Sequence, residues 1–145
     1  MAHRIERSAL VMRPAAAMYA LVADVEAYPR RFGWCQAASV MERAEGRMKA
    51  RLDLQLAGFK TWFVTENVLD PGRAMDMRLV DGPFKRLHGR WEFLPLSEAA
   101  SKVSLTLEFE PSSSLLAPVV KLGLQGLADR MVDDFVRIAT REAAR

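Results

Sequence analysis

From Cys35 to Glu110 the chain switches between apolar and polar residues at nearly every step, and outside that stretch it does not. Met48, Ala50, Leu52, Leu54 and Leu56 stand against Lys49, Arg51, Asp53 and Gln55, the period of two expected of a strand with one dry face. Leu87, Gly89, Trp91 and Phe93 repeat the pattern against Arg86, His88, Arg90 and Glu92. Further strands are predicted at Cys35 to Arg43, Trp62 to Leu69, Met75 to Leu79 and Val103 to Phe109. Turn formers separate them: Ala57-Gly58, Pro71-Gly72, Gly82-Pro83 and the run from Ser97 to Ser101. Six strands joined by short links make an antiparallel meander. In Trp62 to Leu69 the buried face stays open, because Trp62, Val64 and Val68 compete with Phe63, Thr65 and Leu69.

The two ends follow other rules. Ile5 to Met12 has few turn formers and reads as a strand. Pro14 then opens a helix whose Met18, Leu21, Val22 and Val25 recur at helical spacing. Pro29 is expected to stop it, leaving Arg30 to Trp34 as a short second helix or turn. After the Ser112-Ser113-Ser114 cap, Val120, Leu124, Leu127, Met131, Phe135 and Ile138 form one apolar stripe. This predicts a long helix from about Leu115 to Ala143, roughly 43 Å at 1.5 Å per residue. Pro118 falls in its first turns, and Gly123 and Gly126 weaken it. The order β-α-α-β6-α defines an α+β fold of helix-grip type, a curved antiparallel sheet wrapped around the last helix. Leu127, Met131 and Phe135 are expected to face Leu54, Leu79, Trp91 and Leu107. An apolar pocket is the natural by-product of that packing.

Composition narrows the picture. The 145 residues are half hydrophobic and carry a net charge of +3, which suits one globular domain over residues 1–145. A pI near 9.3 is compatible with a ribosome or an anionic membrane surface but far from a dedicated nucleic-acid binder. One cysteine, Cys35, excludes an internal disulfide and fits a reducing compartment. The charged N-terminus does not read as a signal peptide, and no apolar run approaches a membrane span. A cytoplasmic monomer, at most peripheral to the inner membrane, is expected.

Three motifs carry a family resemblance. The first is Leu21-Val22-Ala23-Asp24-Val25-Glu26-Ala27-Tyr28-Pro29 with Trp34-Cys35. The second is Leu79 through Leu87 with Gly89, Trp91, Phe93 and Pro95. The third is Leu107-Glu108-Phe109-Glu110 leading into Leu115-Leu116, with Met131 and Phe135 on the last helix. Over nearly the whole chain they resemble the START-like superfamily, specifically the coenzyme Q-binding and oligoketide-cyclase-like family. That family includes the bacterial ribosome association toxin and the mitochondrial ubiquinone-binding proteins. The chain departs from the family pattern at Arg31 and Gly33, where an aromatic residue and a proline are usual, with Phe32 as the nearest ring. The pocket entrance implied by the resemblance is therefore shaped differently.

Enzymatic chemistry is thin, and neither catalytic nor metal-binding residues are assigned. His3 and His88 lack neighbours at metal-ligand spacing and read as surface histidines. Cys35 reads as a buried structural thiol. Asp24 and Glu26 are expected to bond backbone or to pair with Arg30 and Arg31, and Asp133 and Asp134 to be solvated. Arg137, Arg141 and Arg145 make one basic stripe, and Lys85, Arg86 and Arg90 make another. A solvated face is the default for both, with rRNA or anionic headgroups as the alternative.

The leading expectation is a non-enzymatic carrier of a polyprenyl quinone such as ubiquinone, or a similar lipid, supporting respiration. The quinone is implied by the resemblance alone. The ligand site is assigned to Tyr28, Phe32, Trp34, Leu54, Phe63, Leu79, Phe84, Leu87, Trp91, Phe93, Leu127, Met131 and Phe135, with Tyr28, Trp34 and Phe84 gating entry from a membrane surface. No cofactor is expected beyond that ligand. The alternative implied by the resemblance is a translation inhibitor that binds the large ribosomal subunit. A polyketide cyclase is the third reading and lacks an acid–base pair.

Overall fold

The computed structural model describes residues 2–143. A first strand, β1 (His3–Val11), leads into α1 (Ala15–Ala23), a single 3-10 turn (Val25–Ala27) and α2 (Tyr28–Arg31). Six strands follow: β2 (Cys35–Ala44), β3 (Arg47–Leu56), β4 (Phe59–Asp70), β5 (Ala74–Asp81), β6 (Phe84–Ser97) and β7 (Ala100–Pro111). The chain closes with α3 (Ala117–Ala143). The sheet order is β1-β7-β6-β5-β4-β3-β2, so the meander is complete and β1 returns to flank its last strand. Every pairing is antiparallel, with β1 and β7 in register from His3 opposite Phe109 to Val11 opposite Ser101. This is the predicted helix-grip architecture, with α3 laid across the sheet.

Helix boundaries differ from expectation in two places. The first helix stops at Ala23 rather than reaching Pro29, because Asp24 leaves helical geometry (φ −82°, ψ 65°) and Val25 restarts the chain as a 3-10 turn. Pro29 does not terminate anything. It sits in the first turn of α2, where its missing N–H has no intrahelical partner to lose. In α3 the delayed start likewise puts Pro118 in the first turn.

On β4 the odd-numbered residues Thr61, Phe63, Thr65 and Asn67 are buried, and of the competing even-numbered set only Val64 is buried as well. Trp62 takes the other face, where the Arg51 guanidinium lies 4.4 Å from its ring centroid. That cation–π contact gives a large ring a reason to sit on the solvent side.

The β3–β4 connection is a two-residue hairpin. Ala57 (φ 51°) and Gly58 (φ 85°) both adopt positive φ, the geometry that matches strand twist in tight hairpins. It sets Phe59 over α3, against Gly123. A Cβ at Gly123 would overlap the Phe59 ring, so only glycine permits this approach.

Candidate ligand cavity

Between the concave face of the sheet and α3 lies a cavity of about 50 Å³. Strands β3 to β7 supply Ala50, Leu52, Leu54, Phe63, Thr65, Asn67, Met75, Met77, Leu87, Trp91, Leu105 and Leu107. Leu124, Leu127, Ala128, Met131 and Phe135 come from α3, and Val25 and Tyr28 from the segment after α1. The period of two and the helical stripe explain this convergence: each element turns its one dry face to the same space. Among the described residues no charged side chain is in the lining. Its polar groups lie mainly on β4, where the Thr65 hydroxyl donates to Asn67 Oδ1 at 2.7 Å.

Tyr28, Leu54, Phe63, Leu87, Trp91, Leu127, Met131 and Phe135 thus meet around one cavity, as expected of neighbours in space. The other five assigned residues do not line it. Phe93 lies beside it, stacked on Trp91 at 6.4 Å and edge-on to Tyr19 at 5.8 Å. Leu79 is partly buried on β5 without reaching the lining. Phe32 and Trp34 stack on each other at 4.7 Å within an aromatic plug. Phe84 borders a separate surface groove with Phe59, Pro83 and Pro111.

The expected gate is not found. Tyr28, Trp34 and Phe84 are 3%, 2% and 7% exposed, so none is an accessible mouth residue. For Tyr28 and Trp34 the reason is Phe135, which meets them at 5.4 and 6.1 Å and makes Tyr28, Phe32 and Trp34 one packed cluster. The Tyr28 hydroxyl donates to the Val22 carbonyl, and burial drives its pKa far above the ordinary phenol value. Phe84 begins β6 and turns inward, leaving Pro83 as the exposed residue of the turn.

Asp134 is a second correction. It is buried, not solvated: Trp34 Nε1 donates to its Oδ2 at 2.9 Å, and Arg137 and Arg130 pair with it at 3.1 and 3.4 Å. The sequence carries a signal for this, since position 134 is seven residues after Leu127 and three after Met131, on the apolar stripe itself. Asp133 is exposed as expected. Asn67 and Thr65 escape a sequence-based assignment to the cavity because polar side chains in a strand of ambiguous period read as outward.

The remaining titratable groups are held in pairs. Asp24 pairs with Arg31 at 3.5 Å as expected, while Glu26 reaches Arg43 at 3.8 Å instead of Arg30 or Arg31. His88 lies between 2.9 and 3.0 Å from both Asp76 oxygens, with Arg90 and Arg78 beside them. Burial opposes the Asp76 charge, yet the His88 bond and these cations hold its pKa below the usual carboxylate value. The His3 ring lies tilted against Phe109, with centroids 5.3 Å apart. The Cys35 thiol is buried, which pushes its pKa up to about 11 and leaves little thiolate. Among the described residues no three or more His, Cys, Asp or Glu side chains cluster as a metal site, and no helix is long and apolar enough to cross a membrane. Of the two basic stripes, Arg137 is engaged by Asp134, Arg86 by Glu110 and Arg90 by Asp76; Arg145 lies outside the described residues.

A seven-stranded antiparallel sheet gripping one long C-terminal helix over an apolar cavity is a START-like domain. A family model described as polyketide cyclase / dehydrase and lipid transport matches residues 11–136, and the chain belongs to that family. Within it the chain is similar to the ribosome association toxin RatA of Vibrio cholerae serotype O1, 44% identical over 136 residues that cover 94% of each chain. RatA of Escherichia coli strain K12 is 39% identical over 132 residues, covering 91% of this chain and 84% of the relative. The fold is shared with the Zhui aromatase/cyclase of Streptomyces sp. R1128, with a TM-score of 0.91 over 99% of this chain and 96% of that one at 18% identity.

Proposed function

We propose that this protein is a translation regulator that associates with the ribosome through the large subunit. The observation that carries this reading is the 44% identity to a ribosome association toxin across 94% of both chains. The mildly basic balance of +3 favours an rRNA surface without making the chain a general nucleic-acid binder. Purified protein is expected to sediment with isolated large subunits and to reduce the assembled ribosome fraction when subunits are mixed. Failure to sediment at low salt would overturn the reading. Replacing Lys85, Arg86 and Arg90 by glutamine should flatten the salt dependence of binding by about one unit of log slope for each phosphate that is no longer neutralised.

The cavity favours a second role for the same domain, binding of a neutral hydrophobic molecule such as a quinone. About 50 Å³ is far below the roughly 300–1,000 Å³ of sites that hold drug-sized ligands. A polyprenyl quinone therefore requires the lining to move. Met75, Met77 and Met131 make such adjustment inexpensive, since methionine repacks through several rotatable bonds. Organic extraction of the purified protein tests this directly: a co-purified apolar molecule supports the second role, and none after expression in quinone-replete cells counts against quinone carriage.

A further inference from the structure

Asn67 is 2% exposed and lines a cavity whose walls are otherwise almost wholly apolar. Its amide is only half used. Oδ1 accepts the Thr65 hydroxyl at 2.7 Å, but the acceptor near Nδ2 is the Met75 sulfur at 3.9 Å. Sulfur is a weak acceptor, so two buried N–H donors are left nearly unspent. Buried polar groups in folded proteins are almost always paired, and a leucine at this position would fill the space without the cost of desolvating an amide.

The Thr65 bond also weights what the amide can offer. Oδ1 already accepts one hydrogen bond and keeps one further lone pair, whereas both Nδ2 hydrogens lack a strong acceptor, so the larger unspent capacity at Asn67 is donor capacity; the Tyr28 hydroxyl proton is committed to the Val22 carbonyl. Among the described residues no lysine, arginine or histidine lines the cavity to neutralise an anion. An ionised carboxylate or phosphate would therefore be desolvated without a counter-charge, whereas a neutral oxygen acceptor needs only one donor.

We infer that Asn67 Nδ2 is the recognition donor of the cavity, and that the ligand it selects is a neutral, carbonyl-bearing hydrophobic molecule. Thr65 is the positioning residue that fixes the amide with its donors toward the cavity. This inference rests on the second role proposed above and adds the chemistry that chooses the ligand. Ligands that stay ionised are excluded by it, while ketones and quinones are admitted.

Matched probes of one shape test it. α-Tetralone and tetralin share a fused ring system and differ by the carbonyl, and 1-naphthoate supplies the anion. Binding to the full chain is followed by NMR titration, with the Asn67 side-chain NH2 resonances as the local readout. The expected result is roughly tenfold tighter binding of tetralone than of tetralin, a downfield shift of the Asn67 NH2 protons with tetralone only, and no binding of 1-naphthoate. Asn67→Leu should reduce tetralone to the affinity of tetralin and leave tetralin unchanged or tighter. If Asn67→Leu fails to fold, the two wild-type comparisons still decide. Equal wild-type affinities for tetralone and tetralin, or equal losses of both in the variant, would overturn the donor role while leaving apolar ligand binding intact. Binding of neither probe would overturn the donor role together with the second role on which it rests.

Discussion

The two ends of the grip are built differently. At the end nearest α2, Tyr28, Phe32 and Trp34 close on Phe135 with ring centroids 4.7 to 6.1 Å apart, and the Trp34–Asp134 bond ties that plug to α3. At the other end, where α3 begins, the Phe59 ring rests on Gly123 and borders a surface groove with Phe84. Leu115, Leu116, Val119 and Leu122 stand 57 to 89% exposed there. The first end couples burial to a charged hydrogen bond and so fixes one arrangement. The second is held by dispersion against a bare backbone, on a helix section weakened by two glycines. If the cavity widens, the cheaper movement is at the Phe59 end, the reverse of a gate built from Tyr28 and Trp34.

Four substitutions test that contrast by stability, read from urea melts. Phe135→Ala removes the ring shared by the whole plug and should cost about 3–5 kcal/mol. Asp134→Ala leaves the Trp34 N–H unpaired in a buried site and should cost about 1–3 kcal/mol. At the other end, Gly123→Ala forces the Phe59 ring aside. Its overpacking penalty of about 1–3 kcal/mol is partly offset by about 1 kcal/mol of gained helix propensity, for a net loss smaller than that of Asp134→Ala. Leu122→Ser should stay within about 0.5 kcal/mol of wild type. A loss from Gly123→Ala larger than that from Phe135→Ala would invert the comparison and make the hairpin contact the firmer closure.

The firm end is the harder one to read from sequence. The meander is legible because each strand has one wet and one dry face, and the period survives even where individual residues are unusual. Asp134 shows where that logic fails: residue type argues for solvent, although its spacing from Leu127 and Met131 places it inward. Phe84 fails for the opposite reason. Turn tips are usually solvated, but the chain direction after Pro83 is set by β6 pairing with β7, which no local pattern encodes. Six of the assigned cavity residues, Leu54, Leu87, Trp91, Leu127, Met131 and Phe135, can be picked out from alternation and stripe alone. Asn67 cannot, because only the neighbouring strands decide which face of β4 is dry.

The placement of β1 has a consequence for how the chain is made. Strands β3 to β7 each pair with the strand just synthesised, but β1 finds its neighbour only in β7, where His3 meets Phe109. During translation the first strand therefore emerges early and waits as an unpaired edge until Ala100–Pro111 has left the exit tunnel. Its Arg7 then joins Asp129 on α3, later still. The nascent protein acquires its N-terminal boundary last, so an interruption of synthesis before β7 leaves a sheet with no partner for its opening segment.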